Sequence, residues 1–337
     1  MRYKYDLDKL NFSYSPVDYT VRCYFSNGQW GEIEISESDM ISVPLTATGM
    51  QYGQTAFEGL KAYKHEDGRV RVFRVNDSAK RMARACWGIG MIEVPENLFC
   101  EMVRMLVSKN IDYVPGWGSG CSLYIRPVLF GLTPRVEVEP ASEFVLTMCC
   151  SPVGDYFKGG FKAYPYMLVR DYDRAAPLGT GKYKVGGNYA ASFRASLISH
   201  EMGCVSEIFL DAKEKKYIDE CSSANIFAIR GNSFITPNSS TILPSITNDS
   251  LKQIAKDMGM SVECRRIAVD ELNDMDEVAT CGTAAVVAPI SKIVDPTMKK
   301  TYCYGDEPGR VCRALYEALI AIQFGNAKDV HGWLSEV

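Results

Sequence analysis

At 337 residues, with 47% apolar and 23% charged side chains and a net charge of −4, the chain has the composition of an ordinary globular protein and the length for two domains. No apolar run is long enough to cross a bilayer, and no basic cluster gives the footprint of a nucleic-acid or anionic-lipid binder, which leaves a small molecule as the expected partner. The opening text "MRYKYDLDKLNFSY" lacks the apolar core and small-residue cleavage site of a secretory leader, so the expected location is the cytoplasm.

In chain order, "YTVRCYFSNGQWGEIEI" predicts a hairpin around Asn27-Gly28, and "GLKAYKHEDGRVRVFR" a second around Asp67-Gly68. "VNDSAKRMARACWGIGM" predicts a helix capped by Asn76, Asp77 or Ser78 and carrying Arg81 and Arg84. A helix opening at Pro95 follows, then two buried strands, "CSLYIRPVLFGL" and "SEFVLTMCC". This grouping gives an α+β first domain ending near "SPVGDYFKGG". From about residue 162 strands interleave with helices: the strand "KAYPYMLVRDY", then one helix over "GGNYAASFRASLISHEMG" stopped by Gly203. Hairpins over "VSEIFLDAKEKKYIDE" and "ANIFAIRGNSFITPN" come next, then a turn into the helix of "ILPSITNDSLKQIAKDMG", strands at "EVAT" and "AAVVAPI", and a last helix over 309–323.

The 12 cysteines are scattered through apolar text with no CxxC pair, and read as small core residues. His65, His200 and His331 stand far apart, so neither a zinc site nor a histidine-based nucleophile triad is expected; metal, none. "GTGKY" is not a phosphate-binding P-loop, because Ala176 and Tyr183 stand where that motif needs glycine and Ser or Thr. "KVGGNY" holds a lysine beside glycines that allow close approach of a flat ligand. A desolvated lysine attacks carbonyls to form a Schiff base, although most lysines are only solvated.

Glu220, at the end of a strand pattern, is either a solvated strand end or a carboxylate facing a heterocyclic nitrogen. Ile246 and Thr247 lie where a helix N-terminus suits a phosphate, and Thr283 and Ala284 form a second turn of exposed amides. Tyr124 and Arg126, two apart, share one face of a strand, and an arginine in apolar text needs an acid or a ligand carboxylate. A structural ion pair and a substrate contact stand open on this argument.

Together "YGQTAFEGLKAY", "FRVNDSAKRM", "SLYIRPVLFG", "KVGGNYAAS", "YIDECSSANIF", "ILPSITNDSL", "CGTAA" and "AIQFGNAKDVHGW" resemble the branched-chain amino acid aminotransferases, fold-type IV enzymes dependent on pyridoxal 5'-phosphate. The resemblance runs from about residue 50 to the C-terminus and implies a smaller N-terminal α/β domain over 1–153, an interdomain loop over 154–175 and a larger C-terminal cofactor-binding domain over 176–337 with a pseudo-barrel of strands. It selects Lys184 over Lys182 as the cofactor lysine, with Tyr189 at the cofactor's phenolic oxygen and Glu220 at its pyridine nitrogen. Arg81 would hold the phosphate with Ile246, Thr247 and Thr283.

For substrate, the resemblance implies Tyr124 and the amides of Thr283 and Ala284 at the α-carboxylate. Arg126 would receive the side-chain carboxylate of glutamate or 2-oxoglutarate, Tyr52 and Phe57 would wall an apolar pocket, and Val153 would be lent from the partner of a homodimer. The implied reaction is transamination of leucine, isoleucine and valine with 2-oxoglutarate. A D-amino acid aminotransferase or an aminodeoxychorismate lyase is the nearest alternative, and a catalytically silent relative a further one. Two departures stand out: Ala285 to Ala288 replace the CxxC of animal members, so no thiol switch is expected there, and "ECSSAN" has serines where many members have glycine.

Overall fold

The computed structural model describes residues 5–154, 156 and 161–337; the loop expected over 154–175 falls partly outside them. The chain divides into two compact units. One comprises Met1–Lys158, Tyr183–Gly187 and Ile322–Val337; the other comprises Gly159–Lys182 and Asn188–Ala321. Each is built on its own nine-stranded sheet with helices, an α+β architecture as expected.

In the first unit the sheet runs Leu334–Glu336, Val70–Phe73, Leu60–Lys64, Ser122–Gly131, Phe144–Val153, Thr20–Ser26 and Gln29–Trp30, with Thr55–Phe57 and Glu34–Ser36 added at the side. Its pairs are antiparallel, and both expected hairpins are present. Asn27 and Gly28 have φ of 52° and 79°, the positive pair that a two-residue primed turn demands. The long strand "SLYIRPVLFG" alternates cleanly. Leu123, Ile125 and Leu129 are fully buried and join one core with Met82 of the helix Val75–Gly88 and Phe99, Met102 and Leu106 of the helix Glu96–Lys109. Side chains of that size each stabilise by about 1.5–3 kcal/mol when buried. The alternate residues, Tyr124 and Arg126 among them, therefore look out from the opposite face.

The start of the helix Val75–Gly88 differs from expectation. Its cap is Arg74, in the left-handed region at φ 51°, with no side-chain cap; Asn76, Asp77 and Ser78 lie inside the first turn. The cause is tertiary: the Arg74 amide donates to the Trp333 carbonyl, its guanidinium lies 5.5 Å from that indole ring, and its Nε donates to Asp77 at 2.7 Å. The text around "HGWLSEV", left without an element by its sequence, supplies the edge strand Leu334–Glu336 that pairs with Val70–Phe73.

In the second unit the order is Ile218–Cys221, Ser206–Leu210, Tyr164–Val169, Val286–Asp295, Glu277–Gly282, Asn225–Arg230, Ser233–Pro237 and Ser261–Arg265, with Lys300–Cys303 beside Val286–Asp295. Parallel neighbours need a crossover, and the helix Ile246–Asp257 supplies it between Ser233–Pro237 and Ser261–Arg265. The single helix expected from Gly186 onward is instead two, Gly186–Ala190 and Phe193–Glu201. Serine hydroxyls compete for the ladder at the break: Ser192 donates from both its amide and its Oγ to the Tyr189 carbonyl, at 3.1 and 2.8 Å. Gly203 stops the second helix at φ 74°, as expected.

Candidate active site

In the first unit, strand register gathers most of the candidates on one face. Residues directly opposite in an antiparallel pair share a face. Tyr124 lies opposite Lys61 on one side and Ser151 on the other, Arg126 opposite Cys149, Val153 opposite Ser122, and Phe57 opposite Val128. That face is the one turned away from the core of Leu123, Ile125 and Leu129.

Arg126 donates from Nη2 to the Tyr124 hydroxyl at 2.7 Å, and its guanidinium carbon lies 5.0 Å from the Phe57 ring centroid. Its buried Nε has no hydrogen-bond partner, and among the described residues no carboxylate pairs with it. The structural ion pair that its sequence left open is therefore absent among them, and a guanidinium with spare donors faces away from the core. Gly59 makes room for this arrangement, since a Cβ there would lie 2.1 Å from the Tyr124 hydroxyl.

Lys184 belongs to the same unit. Val185 bridges to Ala56, the Phe57 amide donates to the Lys184 carbonyl at 3.0 Å, and the Lys184 Nζ lies 4.7 Å from the Phe57 ring centroid. One aromatic ring thus has both Lys184 and Arg126 against it. Neighbouring residues fix the segment: the Tyr183 ring occupies space that a Cβ on Gly88 would fill, and Gly186 lies so close to Thr55 that a Cβ would meet its Oγ1 at 2.6 Å. Lys182 lies half-buried in the preceding turn.

Arg81, on the helix Val75–Gly88, is gripped by Glu58, which accepts from Nε at 2.7 Å and from Nη2 at 2.8 Å. Tyr52 is 40% exposed and donates to the Val136 carbonyl at 2.5 Å, whereas Val153 is only 2% exposed within its own chain.

In the second unit, hydrogen bonds rather than a sheet face organise the candidates. Glu220 is 3% exposed in the strand Ile218–Cys221, so it is not a solvated strand end. Its Oε1 meets the Arg174 guanidinium at 2.8 Å and the Leu243 amide at 2.9 Å, and its Oε2 accepts from Asn225 at 2.7 Å. Asn225 in turn accepts from Asn248 at 3.1 Å. Asn248 sits in the first turn of the helix Ile246–Asp257, where its amide caps onto Ser245 Oγ at 3.1 Å. A continuous polar chain therefore joins the buried carboxylate to the helix terminus carrying Ile246 and Thr247. First-turn amides have no partner inside their own helix, and the helix dipole favours an anion there.

Thr283 and Ala284 lie in the turn between Glu277–Gly282 and Val286–Asp295, both half-buried. That turn closes on Val286 at φ 63°, a costly conformation for a β-branched residue that the paired strands impose. Tyr189 lies on the short helix Gly186–Ala190, half-buried.

Each unit by itself offers groups that suit pyridoxal phosphate: the first a primary amine against an aromatic ring and an arginine, the second a buried carboxylate with its own counter-charge and a capped helix terminus. Three participants went unremarked in the sequence. Glu58 stands inside "AFEGL", an acid in apolar text, and the rule that singled out Arg126 would have found it. Arg174 and Asn225 stand in loop-like and small-residue text, where only contacts to Glu220 reveal them.

The model of the family "Amino-transferase class IV" matches residues 55–293, so the fold is that of a class IV aminotransferase, which uses pyridoxal phosphate. The branched-chain-amino-acid aminotransferase of Haemophilus influenzae is 40% identical over 98% of each chain, and a chloroplastic branched-chain amino acid aminotransferase of Humulus lupulus 39% over 98% of this chain and 81% of that one. Among solved structures, the Escherichia coli branched-chain amino acid aminotransferase superposes with a TM-score of 0.78 at 25% identity, covering 95% of this chain and 99% of that one. A second solved branched-chain amino acid aminotransferase, complexed with N-(5'-phosphopyridoxyl)-L-glutamate, gives 0.76 at 25%, covering 95% and 98%. The chain belongs to the branched-chain amino acid aminotransferases.

Proposed function

We propose that the chain transfers the amino group of L-leucine, L-isoleucine or L-valine to 2-oxoglutarate, with Lys184 as its catalytic residue. The observation that carries this reading is that Lys184 and Arg126, the latter with no carboxylate partner among the described residues, lie against one ring, Phe57, in a chain of this family.

When bound, pyridoxal phosphate supplies a carbonyl for amines and an electron sink for the bond being broken at the substrate's Cα. The protein does the rest. Lys184 is the residue that would hold the cofactor through Nζ, and the same amine would act as general base and acid for the proton at the substrate's Cα. Glu220, braced by Arg174 and Asn225, would serve the ring nitrogen, and Tyr189 the phenolic oxygen. Arg81 and the amides of Ile246, Thr247 and Thr283 would hold the phosphate.

Tyr124 with the amides of Thr283 and Ala284 receives the α-carboxylate, and Tyr52 and Phe57 line the aliphatic chain. Arg126, whose buried Nε has no hydrogen-bond partner, would receive the second carboxylate of glutamate. One pocket serves both substrates because Arg126 is tied by a single hydrogen bond and two ring contacts, and can swing aside for an aliphatic chain.

The family pattern supports a homodimer, with Val153 lent to the partner's pocket; light scattering tests it. A cytoplasmic location fits a chain in which, among the described residues, no helix is long and apolar enough to cross a membrane. The visible spectrum tests the whole reading. Wild type should be yellow, bleach with L-leucine and recover with 2-oxoglutarate, and Lys184→Ala should lose that cycle. A protein that stays colourless with added pyridoxal phosphate would refute it, and turnover of D-alanine instead of L-leucine would move it to the D-amino acid enzymes.

A further inference from the structure

Three consecutive residues, Phe57, Glu58 and Gly59, each position a different functional group. Phe57 holds the Lys184 backbone and offers its ring to Nζ, and Gly59 leaves room for the Tyr124 hydroxyl. Glu58 accepts two N–H groups along one edge of the Arg81 guanidinium, and its own Oε2 also accepts the Gly59 amide at 3.1 Å. Glu58 is fully buried and the Arg81 side chain 11% exposed. A planar guanidinium bound on two N–H groups by a carboxylate that its own backbone fixes cannot turn about its plane.

We propose that Glu58 is the positioning residue for the cofactor's phosphate: it sets the plane of Arg81, and with it the direction from which the guanidinium meets the phosphate. This rests on the assignment of Arg81 to the phosphate. Glutamine at position 58 would present one oxygen and an NH2 group, and the NH2 opposes an arginine N–H, forcing the guanidinium to rotate. Although Glu58 also repels the phosphate, loss of orientation outweighs that repulsion, because a misdirected guanidinium forfeits charge-assisted hydrogen bonds outright.

The experiment compares pyridoxal phosphate with pyridoxal, which keeps the aldehyde and lacks the phosphate. Cofactor is removed from purified holoenzyme, and each compound is titrated back while visible absorbance and tryptophan quenching are followed. Glu58→Gln should weaken pyridoxal phosphate about ten-fold or more and leave pyridoxal unchanged. Glu58→Asp, which keeps the charge but withdraws it by one methylene, should show the same selective loss to a smaller degree, and it decides the matter if the glutamine variant does not fold.

Equal weakening of both compounds, or of neither, overturns the proposal. Arg81→Gln identifies the origin of a failure. If it too leaves the preference for the phosphorylated compound intact, the Arg81 assignment is wrong and the proposal falls with it; if it abolishes the preference while both Glu58 variants keep it, Arg81 stands and only the role of Glu58 is lost.

Discussion

Arg126 and Glu220 are both charged side chains drawn out of bulk water, and the two units hold them in opposite ways. Glu220 is fixed by a guanidinium, a backbone amide and a side-chain amide, whose own partners reach a helix terminus. Arg126 has one hydroxyl and two aromatic faces, and a buried Nε left over. The contrast matches the tasks proposed for them. A group that meets the same heterocycle in every turnover gains from being held in one geometry, whereas a group that must admit a methyl-rich chain and then a carboxylate needs weak, replaceable contacts.

The sharpest way to break this comparison is to remove the residue on which both tasks depend. Lys184→Ala should lower turnover by about 10⁴-fold or more, measured as 2-oxo acid formation, with unfolding unchanged. Next comes Glu220→Ala, which leaves the buried Arg174 only its longer contact with Asp219, at 3.6 Å. Breaking a buried pair costs about 3–5 kcal/mol, read as a fall in the urea midpoint, whereas Arg126→Met should leave that midpoint nearly where it was. If both variants unfold alike, the two regions are not held differently.

Arg126→Met should instead raise KM for 2-oxoglutarate about ten- to hundred-fold, the worth of a lost charge-assisted hydrogen bond, and spare KM for L-leucine. A parallel rise for both substrates would make Arg126 a structural residue. Ser245→Ala removes the cap of the helix Ile246–Asp257, for about 1 kcal/mol of stability and a modest rise in the concentration of pyridoxal phosphate needed for half-saturation.

The smallest expected effect is from thiol reagents. Cys264 and Cys303 are exposed and should react first, without loss of activity. Burial pushes the thiols of Cys221 and Cys281 up, and that of Cys86 to about 12, so these stay protonated and inert.

Much of this was legible in the sequence, for identifiable reasons. Hairpins at Asn27-Gly28 and around Asp67-Gly68 are dictated by local turn chemistry, and the strand "SLYIRPVLFG" by its alternation. That Tyr124 and Arg126 share a face follows from the strand period alone. What stayed hidden depends on residues distant in sequence. The left-handed cap at Arg74 exists because Trp333 comes to meet it. The second partner of Glu220 is Arg174, and nothing in the text around "DYDRAAP" announces a buried guanidinium. The helix break after Ala190 is a local effect that was misjudged: Ser192 and Ser196, one turn apart, already offered the backbone an alternative.

The two units are not written consecutively along the chain. The first reaches its full membership only when Tyr183–Gly187 and Ile322–Val337 are added to residues before 159. On a ribosome, which delivers the chain from its N-terminus, that unit waits for more than 250 further residues after Val70–Phe73 before its edge strand Leu334–Glu336 can close against them. Until then an unpaired sheet edge is on offer to any neighbouring nascent chain. Yield in cells should therefore respond to chaperone supply and growth temperature more steeply than the stability of the finished molecule would suggest.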